Sequence, residues 1–186
     1  ADSYVSYHFF YESDGLNIEA YLSAPKELLE GESPSECLIY NHGGNKDYGA
    51  LGEVDTTFYA YQCQTVCVAS NYRGCGKSEG TDTFGGQDVD DVIHLIDLCE
   101  KMPFIDKNRI NMYGVSRGGM MTYETLRDDD RIHRAVVVAG IADSFMEYDE
   151  RDDMKEVYQE LLGGTPQEIP EEYEKRSATY WADQID

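Results

Sequence analysis

Residues Arg109 to Leu126, RINMYGVSRGGMMTYETL, constrain the fold more than any other stretch of this chain. They read as a short apolar strand from Ile110 to Tyr113, a sharp turn, then a helix. The turn Gly114-Val115-Ser116-Arg117-Gly118 fits G-x-S-x-G, in which a strand reverses into a helix around a serine. So tight a reversal crowds the backbone, and glycine two residues either side removes the Cβ atoms that would clash. The serine is left strained, its hydroxyl clear of the sheet edge. The first N–H groups of the helix and its positive dipole end point at the same place. Ser116 is therefore a candidate nucleophile, and the Arg117 N–H a candidate oxyanion donor. The competing reading is a glycine-rich turn that only packs a helix on a sheet.

The rest of the chain alternates strand and helix patterns. Residues 4–11 are aromatic and β-prone, Ser13-Asp14-Gly15 signals a turn, and Leu16 to Leu22 alternates apolar and polar, so an antiparallel hairpin opens the chain. Residues 25–35 read as a polar loop, Cys37–Tyr40 as a buried strand, Phe58–Gln62 as part of a helix, and Thr65–Ala69 as a second buried strand. Gln87 to Glu100 is an amphipathic helix with Val89, Val92, Ile93, Ile96 and Cys99 on its apolar side and acidic residues opposite. Ala135–Ala139 is a fully apolar strand, and Met154, Val157, Tyr158, Leu161 and Leu162 form a helical stripe stopped by Gly163-Gly164. Pro170 opens a last short helical stretch. This order predicts an α/β fold, a mostly parallel sheet with helices on both faces. Active sites of such sheets lie beyond the carboxyl ends of the strands, where residues 41–45, 71–86 and 114–119 form three glycine-rich loops.

Charge narrows the function classes. With 15 Lys and Arg against 37 Asp and Glu, the net charge is −22, which repels nucleic acid and anionic membranes. The five cysteines are odd in number and fit no zinc spacing. Three of them fall in apolar element patterns, which points to reduced core cysteines and a cytoplasmic setting.

Acyl transfer at a serine needs a second oxyanion donor. His42-Gly43-Gly44 follows a buried strand, and its glycines let backbone N–H groups approach a ligand, so Gly44 or Asn45 is the expected donor. Gly76-Lys77-Ser78 is not a phosphate loop, because Asn71 stands where that motif needs glycine. Arg73 is better read as tying its loop to a nearby carboxylate. Of the four histidines, only His133 follows Ser116, and it sits at the wrong end of its strand; His94 is expected to be solvated. Asp143 lies at the correct end but reads as a helix cap. The sequence thus offers a nucleophile and an oxyanion hole without their base.

CLIYNHGGN at 37–45, SNYRGCGKSEG at 70–80, FGGQDVDDV at 84–92 and MYGVSRGGMMTY at 112–123 together resemble the α/β-hydrolase superfamily. Within it they are most similar to the catalytic domains of prolyl oligopeptidase-like serine hydrolases. The resemblance implies an α/β-hydrolase fold with Ser116 as nucleophile and Arg117 N–H and the glycine turn as the oxyanion hole. It also implies a further strand, the triad Asp and the triad His beyond residue 186. Residues 1–186 are then the N-terminal two-thirds of a single hydrolase domain lacking its C-terminal strands, with 143–186 a helical, cap-like segment. The implied activity is cleavage of a small ester or short peptide through an acyl-enzyme, as a peptidase or carboxylesterase, with no cofactor or metal. The chain alone is expected to be inactive. A sheet ending at AVVVA would expose an apolar edge, which favours self-association or a complementing C-terminal chain. The alternative is a non-catalytic binding or interaction module on the same fold.

Overall fold

The computed structural model describes residues 3–185. Strands β1 (Tyr4–Ser13) and β2 (Leu16–Pro25) form the expected hairpin. Asp14 and Gly15 both have positive φ, 52° and 78°, which matches the turn to the right-handed twist of its strands. Next come α1 (Lys26–Glu30), β3 (Ser35–Asn41), α2 (Glu53–Cys63), β4 (Val66–Ser70), α3 (Asp88–Cys99) and β5 (Ile105–Val115). The chain closes with α4 (Arg117–Asp128), β6 (Ile132–Val138), α5 (Ser144–Glu150), α6 (Asp152–Leu162), α7 (Pro170–Lys175) and two single 3₁₀ turns, Ala178–Tyr180 and Ala182–Gln184.

The sheet runs β1-β2-β4-β3-β5-β6. β1/β2 and β2/β4 pair antiparallel; β4/β3, β3/β5 and β5/β6 pair parallel. Alternation along the strands divides the faces. Cys37, Ile39 and Met112 join Val92, Leu95, Ile96 and Cys99 of α3 in the main core on one face. On the other, Tyr40 and Tyr113 meet Tyr59 of α2, with ring centroids 4.4 and 5.2 Å from it. A second cluster of Phe84, Met120, Ile141, Tyr148, Tyr158 and Tyr173 seats α5–α7 against α4 and the loop before α3. Gly163 caps α6 at φ 99°.

Several boundaries differ from the sequence reading. The supposed loop 25–35 carries the single-turn α1, and α2 begins five residues before Phe58, with the Gly52 N–H donating to the Asp55 carboxylate at 2.8 Å. The strand read at Ile110–Tyr113 extends back to Ile105 through polar residues. Ala139 of AVVVA lies beyond β6, while Ala135–Val138 form the apolar edge expected there, with Val136 54% and Val138 43% exposed. The polar side of α3 is not all solvated either. Asp88 and Asp91 are buried, and His94 is half-buried with Nδ1 2.8 Å from Ser13 Oγ. All five cysteines are free, Cys63 exposed and the others buried. Among the described residues no helix is long and apolar enough to cross a membrane.

Candidate active site

The parallel register Asn41↔Gly114 sets the site. It brings the ends of β3 and β5 level, so His42-Gly43-Gly44 and Ser116 leave the sheet side by side. The order β4-β3-β5 reverses direction here, where open α/β sheets bind ligands. Ser116 has φ 56° and ψ −123°, a region costly for any residue with a Cβ. Its backbone is held all round. Its N–H donates to Val138 O at 3.1 Å, and its carbonyl accepts from Gly119 N at 2.9 Å and from Ile141 N at 3.4 Å. The side chain is exposed, and its hydroxyl has no hydrogen-bond partner among the described residues.

The glycine turn lies against this serine. A Cβ placed on Gly43 would be 3.1 Å from Ser116 Cβ and 3.7 Å from its Oγ. Neither the Gly44 N–H nor the Arg117 N–H draws a hydrogen bond among the described residues. Asn45 differs: its N–H donates to Tyr48 O at 3.0 Å and its carbonyl accepts from Tyr48 N at 2.9 Å. Of the two turn residues expected to offer a donor, Asn45 has its N–H engaged and Gly44 keeps its own.

No described histidine bonds Ser116. His8 Nε2 lies 2.7 Å from Glu19 Oε1, and His133 is exposed on β6. The His42 ring is buried, stacked on Tyr72 at 4.4 Å, with Nδ1 2.7 Å from Gly43 O. Asp143 caps α5, accepting from Phe145 N at 3.0 Å and Met146 N at 3.1 Å. Arg73 is the structural tie the sequence suggested. It donates through its backbone N–H and its guanidinium to Asp91, both at 2.7 Å, and reaches Asp14 at 2.7 Å.

Sequence reasoning missed a second buried ion cluster. The Arg117 side chain is 1% exposed and pairs with Asp82 and Asp88, which are 3% and 0% exposed. Burial alone would raise the Asp88 pKa, but Arg117, the Thr83 hydroxyl and the Gly85 N–H hold it down at about 2. Asp88 stood in the FGGQDVDDV segment without an assigned role; acidic residues on an amphipathic helix ordinarily face solvent.

Comparison with known proteins fixes the lineage. The sequence profile of the prolyl oligopeptidase family matches residues 53–186. The chain belongs to that family. It is 31% identical over 172 residues to the uncharacterized peptidase YtmA of Bacillus subtilis, an alignment covering 92% of this chain and 65% of that protein. Its fold superposes on the acylaminoacyl peptidase of Pyrococcus horikoshii with a TM-score of 0.80 at 22% identity, over 100% of this chain and 31% of that one. It also superposes on acetyl xylan esterase 1 of Thermoanaerobacterium sp. JW/SL YS485, with a TM-score of 0.72 at 17% identity, over 100% of this chain and 67% of that one. The α/β-hydrolase architecture expected from sequence is thus the one observed. The chain spans just under two thirds of the Bacillus relative and smaller shares of other curated relatives.

His42 gives this site a pH signature in stability. Burial first, and then the nearby positive Arg117, lower its pKa to about 4 against the Gly43 carbonyl and Asp88, which raise it. The unfolded chain takes up a proton near pH 6.5, which the folded state refuses until about pH 4. The stability contributed is full above pH 6.5 and is lost as pH falls toward 4. Between pH 7.5 and 5 the loss from His42 alone is about 2 kcal/mol. In His42→Phe, which keeps a ring against Tyr72, denaturant unfolding at those two pH values should lack that loss. Comparing the two proteins cancels the carboxyls they share, including buried Glu124, whose pKa burial drives well up. Equal pH dependence in both would mean that the His42 ring is solvated.

Proposed function

We propose that the protein is a serine hydrolase that cleaves an ester or peptide bond through an acyl-enzyme on Ser116. The observation that carries this reading is the exposed Ser116, held at φ 56° on the N-terminus of α4 with the Gly43-Gly44 turn packed against it. In this reading Ser116 Oγ attacks the acyl carbonyl carbon while a histidine takes its proton. The carbonyl π pair moves onto oxygen, which sits between the Arg117 and Gly44 N–H groups. Collapse expels the alcohol or amine, which leaves with the histidine's proton. Water repeats the sequence to release the acid. The histidine and its aspartate are proposed to lie beyond residue 186, because none of the four histidines bonds Ser116. Family membership supports hydrolysis, and the fold is shared with a structure named as a peptidase and one named as an esterase, so small esters and short peptides are the proposed substrates.

A fluorophosphonate probe tests this on the full-length protein. Intact mass spectrometry should show one adduct, mapping to the peptide that contains Ser116, and residues 1–186 alone should be nearly inert. Turnover of 4-nitrophenyl esters against aminoacyl-4-nitroanilides then separates esterase from peptidase. The lack of a described histidine beside Ser116 also fits a second reading, a non-catalytic module on this fold. A full-length protein that takes no adduct and hydrolyses neither substrate class would establish that second reading.

A further inference from the structure

Arg117 leads a double life. Its backbone N–H, at the first position of α4 next to Ser116, has no partner among the described residues, while its side chain is buried in the interior. There the guanidinium lies between the rings of Tyr72 and Phe84, 5.2 and 5.0 Å from their centroids. NH1 donates to Asp82 Oδ2 at 2.8 Å and NH2 to Asp82 Oδ1 at 2.7 Å, a bidentate fork. NH2 also donates to Asp88. NH1 has one more partner, the carbonyl of Gly44, at 3.2 Å. Asp82 in turn accepts the Lys46 N–H on Oδ2 at 2.7 Å and the Phe84 N–H on Oδ1 at 2.8 Å.

The C-terminal side of the oxyanion turn is therefore held at two backbone points by one ion pair. The peptide after Gly44 is fixed through its carbonyl, and the backbone two residues on is fixed through the Lys46 N–H. The peptide before Gly44 is fixed from the opposite side, since Gly43 O lies 2.7 Å from His42 Nδ1. In a trans peptide the N–H points away from the preceding carbonyl, so anchoring Gly43 O inward aims the Gly44 N–H outward. Packing alone gives no reason to place one cation and two carboxylates in a dry interior. Apolar residues of similar volume often serve stability as well or better. What apolar residues could not do is grip a backbone carbonyl and a backbone N–H of the same turn.

We infer that the Arg117 side chain, with Asp82, is a positioning device for the oxyanion turn: one residue offers the first donor through its backbone and locks the second through its guanidinium. This rests on Ser116 being the nucleophile, and the test keeps the two ideas apart. The full-length wild type is labelled first with the fluorophosphonate; without an adduct at Ser116, it is the hydrolase reading that fails. Given that adduct, Arg117→Lys replaces the fork by a point charge that cannot span Gly44 O and both Asp82 oxygens. Labelling and kcat on a 4-nitrophenyl ester should fall about 10- to 100-fold, with KM within about twofold, as for a donor displaced by a fraction of an ångström. Asp82→Asn keeps the shape and an acceptor for Lys46 N–H but loses the charge; it serves if Arg117→Lys does not unfold cooperatively, and the same kcat-weighted loss is expected. A folded variant of either kind that labels at the wild-type rate overturns the inference, and so does a loss carried by KM alone.

Discussion

Replacing Ser116 with alanine should abolish hydrolysis by the full-length protein without weakening the fold. Where a nucleophilic serine works with a histidine base, its removal costs up to about 10⁶ in kcat. The hydroxyl contributes nothing to stability that can be seen, being exposed and unpartnered among the described residues. The backbone is another matter. With φ 56° and ψ −123°, any Cβ at this position carries strain of roughly 1–3 kcal/mol, and the residue stays there only because Val138, Gly119 and Ile141 grip its N–H and carbonyl. Glycine enters that region freely. Ser116→Gly should therefore be more stable than Ser116→Ala by about 1 kcal/mol, while both are inactive. Denaturant unfolding of the two variants measures the strain, and turnover measures the chemistry. Residual activity near wild type in Ser116→Ala would remove Ser116 from the mechanism. Equal stability of the alanine and glycine variants would mean that the elbow is relaxed.

The elbow was legible in sequence because its information is local: two glycines, a serine, an apolar strand before and a helix after. The hairpin and α3 were legible for the same reason, a two-residue turn signal in one case and a period of 3.6 in the other. The nearness of the glycine turn to Ser116 was inferred from the order of motifs, and the register Asn41↔Gly114 realises it. What stayed hidden depends on tertiary neighbours. The first turn of α2, EVDT, has no apolar periodicity and is fixed by its cap. AVVVA reads as an apolar strand at an exposed sheet edge, but how far Val136 and Val138 stand exposed depends on what covers the faces of β6, which no local pattern records. Asp88 falls on the polar side of α3 and the side chains of Asp82 and Arg117 carry no sequence signal, because burial of an ion cluster is decided by which loops fold over it and leaves no periodic trace. The bond from Asn45 N–H to Tyr48 likewise needs the closed turn to be seen.

Gly118→Ala should be among the most damaging single-methyl changes available to this chain. A Cβ at Gly118 falls far inside contact distance of Asn41 O and 2.7 Å from His42 O. Both are backbone atoms, so no side-chain rotation relieves the clash; α4 must lift off the end of β3, or the strand end must shift. Either movement disturbs buried groups. Asn41 Nδ2 donates to Thr122 Oγ1 of α4 at 2.9 Å, and Met120 and Met121 of the same helix are buried. Overpacking in a well-filled interior costs typically ~1–3 kcal/mol, more where only backbone can yield, against a total stability of about 5–15 kcal/mol. A loss of at least about 3 kcal/mol is expected in denaturant unfolding. Because His42 follows Asn41, any strand shift also moves the glycine turn, so a variant that still folds should label poorly at Ser116. Gly52→Ala is the matched control. Its Cβ meets nothing within 4 Å, its φ is −133°, and the Gly52 N–H bond to Asp55 survives the change, so less than about 1 kcal/mol should be lost. If Gly118→Ala proved as mild as that control, α4 could not be seated on the end of β3 as closely as the geometry requires, and the glycine turn would lose its fixed distance from Ser116.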